Sequence, residues 1–297
     1  MNRFNCAPCV LVMLGMAATC HAGEFSAGAG FDYSSGKYGG TDRTTITNVP
    51  MHAKYESGPL TLKISTSWIT ISGTGVIIPS GIGGIGGIGG SGGDSGSGGG
   101  SVGTFGCAAD NRSGARKPED NGPCAATGAK AGAAIRRTEQ GLGDIVAAAT
   151  YNVMNNPKGL RVDVTGKIKF ATASATRGLG SGKTDYAMQS EAEYAIGKGY
   201  INGGVGYKWL GDPNGIDLKN VVYGTVGGGV KLSDKTTVGV SYDYANAARS
   251  GGIAVQEMSV YASRRLTDKL KLNGSLYKGL SSSTPDWGAG VGLGYYF

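Results

Sequence analysis

The sequence predicts an all-β fold: a transmembrane, antiparallel, up-and-down β-barrel of twelve strands. Three observations carry this. Stretches of about ten residues alternate apolar with polar or small side chains, which puts the two kinds on opposite faces of a strand. The connections between these stretches run long, short, long, short, as in barrels with tight turns at one rim and long loops at the other. Gly supplies 56 of 297 residues, Leu is sparse, and no convincing helical periodicity occurs beyond residue 22. Glycine suits a barrel wherever strands approach closely or an inward position needs no bulk.

The clearest strand is 287–297. Trp287, Ala289, Val291, Leu293, Tyr295 and Phe297 share one face, and Gly288, Gly290, Gly292, Gly294 and Tyr296 share the other. Aromatic residues stand at both ends of the apolar face, the girdle-and-band pattern of a membrane-crossing strand. Phe297 in this setting resembles the end signal of bacterial outer-membrane proteins. The resemblance implies that Trp287, Val291, Leu293, Tyr295 and Phe297 form an assembly signal read by the barrel-assembly machinery.

From the other end, residues 1–22 read as a secretory signal peptide. Arg3 gives the basic start, 10–16 the apolar core, and Cys20, His21 and Ala22 a cleavage site with an unusual middle residue. The apolar run is too short for a spanning helix. A lipoprotein reading through Cys20 is weaker, because Thr19 is a poor residue before a lipidated cysteine. Residues 23–297 are then one barrel domain. Of five cysteines it keeps Cys107 and Cys124, and an even count in an exported chain suggests one disulfide. The net charge of +7 could point to nucleic acid, but the charges are spread along alternating strands and form no stripe, so no nucleic-acid partner is expected.

The strands follow in order. The first is about 24–34, with Phe25, Ala27, Ala29, Phe31 and Tyr33 outward. The second is about 44–56, with Thr47, Val49, Met51, Ala53 and Tyr55 outward and Asn48, His52, Lys54 and Glu56 inward. After a turn at 57–59 comes about 60–72, with Leu60, Leu62, Ile64, Thr66 and Trp68 on one face. Residues 73–141 are expected to be one long outer loop, low in complexity from Gly81 to Ser101 and polar between the two cysteines. Strands resume at about 144–153, with Ile145, Ala147, Ala149, Tyr151 and Val153 outward. The next is about 160–172, where Leu160, Val162, Val164, Ile168 and Phe170 oppose Arg161, Asp163, Lys167 and Lys169. In about 185–196, Tyr186, Met188, Ala192 and Tyr194 oppose Asp185, Gln189, Glu191 and Glu193. Then come about 200–209, 220–232, 237–246, 253–266, 270–280 and 287–297. In 253–266 the preferred outward set is Met258, Val260 and Ala262. The count is twelve. The alternation of loop lengths places both termini in the periplasm and the Gly-rich insertion outside.

Few motifs suggest chemistry. Residues 178–184, GLGSGKT, look like a phosphate-binding loop, but the required first glycine is Arg177 and no strand-to-helix context surrounds it. These glycines are expected to serve an outer turn. A hydrolase would need a histidine base, and His52 is the only one beyond the signal; it shares a face with Asn48 and Lys54. A polar interior residue is the favoured reading, so no catalytic, cofactor or metal site is expected. What remains is the inward face. Its candidates are His52, Lys54, Lys63, Arg161, Asp163, Lys167, Lys169, Asp185, Glu191, Glu193, Lys208, Lys231, Asp243 and Lys271. They read either as a polar solute path or as interior salt bridges that only hold the barrel. Twelve strands lie between the about eight that a filled interior needs and the about sixteen of an open channel. Lys167 and Lys169 on one strand, and Glu191 and Glu193 on the next, are expected to face each other across one wall.

Residues 167–170 and 178–186, together with 203–207 and 283–290, resemble the strand–loop–strand signatures of a bacterial outer-membrane family. It is labelled as the meta-pathway of phenol degradation, or as transporters. The likeness covers roughly 144–297. It implies passive uptake of small organic, including aromatic, compounds through a narrow channel in the outer membrane. Outer-membrane lipid and lipopolysaccharide, the assembly machinery and a small solute would be the partners. The alternative is a non-conducting structural or surface-interaction barrel that displays the long loop.

Overall fold

A computed structural model describes residues 23–38, 42–73, 77–80, 103–106, 137–156, 159–213 and 217–297. The expected signal peptide, and Cys107 and Cys124, lie outside them. Every barrel strand is antiparallel to both neighbours. The strands are β1 (Glu24–Gly36), β2 (Thr44–Ser57), β3 (Leu60–Gly73), β4 (Ile77–Ser80), β5 (Gly103–Gly106), β6 (Arg137–Leu142), β7 (Ile145–Asn155), β8 (Leu160–Phe170), β9 (Asp185–Ile196), β10 (Gly199–Trp209), β11 (Val221–Ser233), β12 (Thr236–Ala245), β13 (Val255–Arg265), β14 (Leu270–Gly279) and β15 (Trp287–Tyr296). Twelve staves close the barrel, with β1 pairing both β2 and β15.

The fourth stave is broken. β7 pairs with the first half of β3, from Leu60 opposite Tyr151 to Ser65 opposite Val146, and β6 pairs with its second half, from Trp68 opposite Leu142 to Gly73 opposite Arg137. Gly143 and Asp144 form the break. The expectation of one continuous loop over 73–141 is thereby corrected. Its last residues extend the stave because β3 runs past β7 and its backbone groups need partners. Inside the same span β4 and β5 pair as a separate two-stranded ribbon.

The side chains sort inside out relative to a soluble barrel. Phe31, Ile64, Tyr186, Val205, Met258, Val260, Leu276 and Val291 are exposed on the outer face. Lys54, Lys169, Asp185, Lys208, Asp243 and Glu257 are buried on the inner one. An outer band this apolar is suited to lipid rather than water. The short turns lie at one rim and the long loops at the other. β1 begins and β15 ends at the short-turn rim, where Ser26 pairs with Tyr296. No described helix is long and apolar enough to cross a membrane.

Candidate functional site: the barrel interior

Inward positions near the long-loop rim are not all polar. Ile46 of β2 and Ile69 and Ile71 of β3 point inward and are buried with Tyr38, Ala173 and Leu179. The last two belong to the β8–β9 connection, 171–184, which therefore folds into the mouth. Leu179 is 1% exposed. Tyr38, just after β1, adopts a left-handed backbone (φ 46°), and its hydroxyl lies 2.6 Å from Ser34 Oγ. Burial pushes its phenol pKa up.

One buried cation ties this connection down. Lys169 is 0% exposed. Its Nζ lies 2.7 Å from Asp185 Oδ2 and 3.1 Å from Asp144 Oδ2, and it donates to Ser181 Oγ at 2.8 Å. Asp144, freed from strand pairing by the break between β6 and β7, accepts the N–H groups of Thr172 (3.0 Å) and Ala173 (2.8 Å). Asp185 accepts the N–H of Gly211 (2.9 Å), and Arg177 donates to the Gln140 carbonyl (2.9 Å). A lone buried ammonium is costly, and two carboxylates and a hydroxyl offset that cost. The phosphate-loop look-alike is this connection. Gly178 and Gly182 have φ of 70° and 69°, where glycine turns without strain, and the hydroxyl of Ser181 meets a lysine rather than a phosphate.

Further down the wall the expected residues separate. Arg161 pairs with Asp163 at 2.8 Å, and Lys54 with Glu56 at 2.8 Å. Lys63 stands opposite Lys54. The expected facing of Lys167 and Lys169 with Glu191 and Glu193 is corrected by the register. Lys167 pairs with Ala187 and Lys169 with Asp185, while Glu191 pairs with Asp163 and Glu193 with Arg161. The two lysine–glutamate sets share a wall but are offset along it. Lys208 Nζ sits 4.8 Å from the ring centroid of Tyr223, a cation–π geometry. Asp243 stands opposite Glu257, Lys271 opposite Gly294, and Lys231 is exposed near the short-turn rim. Among the described residues no group of three His, Cys, Asp or Glu side chains is placed to hold a metal ion.

Elsewhere on the inner wall, tyrosine rings lie over glycines. A Cβ on Gly206 would collide with the ring of Tyr223, and one on Gly288 with that of Tyr277. Tyr223 donates to Gln189 Oε1 (2.9 Å) and Tyr277 to Asp32 Oδ1 (2.8 Å). In one row of the sheet Tyr200, Gly229, Gly239 and Tyr261 follow one another, and the two phenol oxygens meet 2.7 Å apart over the two glycines. His52 lies against Gly28 in the same manner, 2.5 Å from where a Cβ would stand.

Sequence reasoning named Lys169 and Asp185 but missed Asp144 and Ser181. It also missed the inward isoleucines, although the polarity of β3 visibly reverses at Ile69 and Ile71. On the outer face, Trp287 rests against Tyr33 (5.4 Å between centroids), and Phe297 against Phe25 (5.1 Å) and Tyr295 (5.0 Å). Val291 and Leu293 are exposed between them.

No protein-family model and no curated protein sequence matches the chain. Solved structures do. A toluene transporter of Ralstonia pickettii aligns with 92% of this chain and 88% of its own at a TM-score of 0.40 and 10% identity. A KdgM porin in complex with disordered oligogalacturonate aligns over 92% and 99% at 0.48 and 7%. An outer membrane channel from Pseudomonas putida F1 aligns over 97% of this chain and 100% of that one, with a TM-score of 0.62 and 12% identity, so the two share the barrel fold end to end.

Proposed function

We propose that this protein is an outer-membrane channel that passes small solutes passively through a narrow interior. One observation carries the reading: a closed twelve-stave wall with an exposed apolar outside and an inside of charged, hydroxyl and glycine positions. A purely structural barrel could fill its inner face with apolar side chains. Among the described residues, apolar side chains gather inside in two patches near the long-loop rim, one under 171–184 and one around Val221, Tyr223 and Ala248, while much of the remaining wall is charged, hydroxyl-bearing or glycine. The likeness of 167–186 to the phenol-degradation family supports small organic solutes, aromatic ones included. The loop-bearing rim faces outward in this reading, both termini are periplasmic, and residues 1–22 are removed on export. A non-conducting barrel is the second reading, favoured by the apolar cluster in the mouth.

Purified protein in planar bilayers tests the proposal. Discrete openings are expected, and a folded but silent barrel would favour the second reading. Lys167 stands on the inner wall between Ala148 and Ala187, with Glu191 of β9 as its attracting carboxylate. Lys167→Glu is therefore expected to shift selectivity toward cations; unchanged selectivity in a conducting variant would take Lys167 off the path. Cys107 and Cys124 are expected to be disulfide-bonded after export. Two alkylatable thiols in the unreduced protein would count against that.

A further inference from the structure

The outer wall is not evenly filled. Across β11–β15 and β1 it carries a hollow of about 1040 Å³, at the upper end of the about 300–1,000 Å³ of small-molecule sites. Register explains it. Ala262 stands opposite Gly274, and Ala289, opposite Leu276 in the next outward row, is a further small residue of the lining. The atom nearest to a Cβ on Gly274 would lie 3.8 Å away, so no side chain of the protein covers this floor. Valines and Leu276 surround it, and Phe31, Tyr33 and Trp287 border it on one side. Of the lining side chains that face outward, only Tyr33 and Trp287 carry a polar atom.

One end of the hollow is positively charged. Along β13 the next outward residue after Val260 and Ala262 is Arg264, about 7 Å beyond Ala262 and exposed at the short-turn rim. Lys235 and Lys269 are exposed in the turns on either side. Lys235 directly precedes Thr236, which pairs with Arg264, and Lys269 directly precedes β14, whose Leu272 pairs with Arg264. Among the described residues none of these three cations makes an ion pair. The turns also hold Asp234 and Asp268, but residues 231–235 and 264–271 together carry six cations against these two acids. Toward the long-loop rim β14 offers one outward cation, Lys278, while Asp286, just before Trp287, is already held by Arg43 at 2.8 Å. A ligand that suits both parts has an apolar chain and an anionic head at the short-turn end. An alkyl chain adapts to an irregular hollow, and a guanidinium meets a phosphate with two parallel N–H donors. A second copy of this chain suits it less, because in a two-fold contact hollow would face hollow and leave a void.

We infer that the outer wall binds an anionic phospholipid of the leaflet at the short-turn rim, with an acyl chain in the hollow over Ala262 and Gly274 and its phosphate at Arg264. The inference rests on the reading of this barrel as a membrane protein and not on whether it conducts. Trp287 borders the hollow and is one of three tryptophans, so the full barrel with Trp68→Phe and Trp209→Phe reports from the site alone. In detergent micelles its fluorescence is titrated with phosphatidylglycerol brominated on the acyl chains, and with zwitterionic phosphatidylcholine brominated in the same way. Quenching is expected to half-saturate at a mole fraction at least about tenfold lower for phosphatidylglycerol. Arg264→Gln is expected to narrow that preference about fivefold. Gly274→Leu fills the floor and is expected to weaken quenching by both lipids; Ala262→Leu serves if it does not fold. Heat-modifiable mobility identifies the folded variants. Equal quenching by the two lipids, or an unchanged preference in folded Arg264→Gln, would overturn the inference. So would a preference lost in Lys278→Gln instead, which puts the head group at the long-loop rim, where lipopolysaccharide would lie. A conducting barrel without the preference removes the site and leaves the channel. A silent barrel with the preference, lost in Arg264→Gln, removes the channel and leaves the site.

Discussion

Lys169 shows how one side chain decides the shape of the mouth. It is buried between Asp144 and Asp185, with Ser181 completing its donors. Replacing it with methionine keeps the stem and removes the charge, which leaves two carboxylates close together without their cation. Breaking a buried pair from one side costs on the order of 3–5 kcal/mol. We expect Lys169→Met to lower the thermal midpoint of the folded barrel and to open 171–184 to protease. A midpoint and cleavage pattern equal to the parent's would mean the cluster does not hold the connection. The sequence made Lys169 and Asp185 legible, because the two-residue period sets the face of every strand position. It hid Asp144, which acts from a break that only pairing reveals. It hid Ser181 too, whose surrounding glycines imitate a phosphate loop. It also suggested that Lys167 and Lys169 act as a pair, and the structure separates them: Lys169 is locked under a loop, and Lys167 stands one step further down the wall, across from Ala187.

Among elements, the staves were readable because each alternates, and their bounds fall within two residues or so of those read from the pattern. β6 was not readable, since its six residues carry polar and glycine positions and pair only because β3 outruns β7. The contacts of aromatic rings with glycines were also invisible to the period, which ignores what stands on the neighbouring strand. These contacts make glycine specific rather than merely tolerated. At Gly239 a Cβ would strike the ring of Tyr261 and come within 2.6 Å of the Gly228 carbonyl, while at Gly274 the nearest atom lies 3.8 Å away. Gly239→Val is therefore expected to cost roughly 1–3 kcal/mol of overpacking, and Gly274→Ala to be nearly neutral. Urea unfolding in detergent compares them. Combining Gly239→Val with Tyr261→Ala should cost less than the two changes added, because they share one contact. Strict additivity would mean that ring and glycine are independent.

For the whole molecule, everything depends on closure, and closure is the seam between β1 and β15. Ten pairs join these strands, from Ser26 with Tyr296 to Ser35 with Trp287. An open sheet would expose this edge to other chains, whereas a closed barrel has no edge. The seam is fastened outside at both rims by aromatic contacts, Tyr33 with Trp287 at one and Phe25 with Phe297 at the other. At the short-turn rim the N–H of Phe297 also donates to the carbonyl of Phe25 at 3.0 Å, one step beyond the ladder. Removing Phe297 deletes this bond and the ring that Phe25 and Tyr295 rest against, at the point where the first and last staves must find each other. The interior is untouched by that change, so conductance per folded molecule should not alter. The yield of closed barrel should fall instead, read as a smaller heat-modifiable fraction in isolated membranes. Equal fractions from the deletion and the parent would show that the ladder alone closes the seam, and that the aromatic fastening at this rim contributes nothing to assembly.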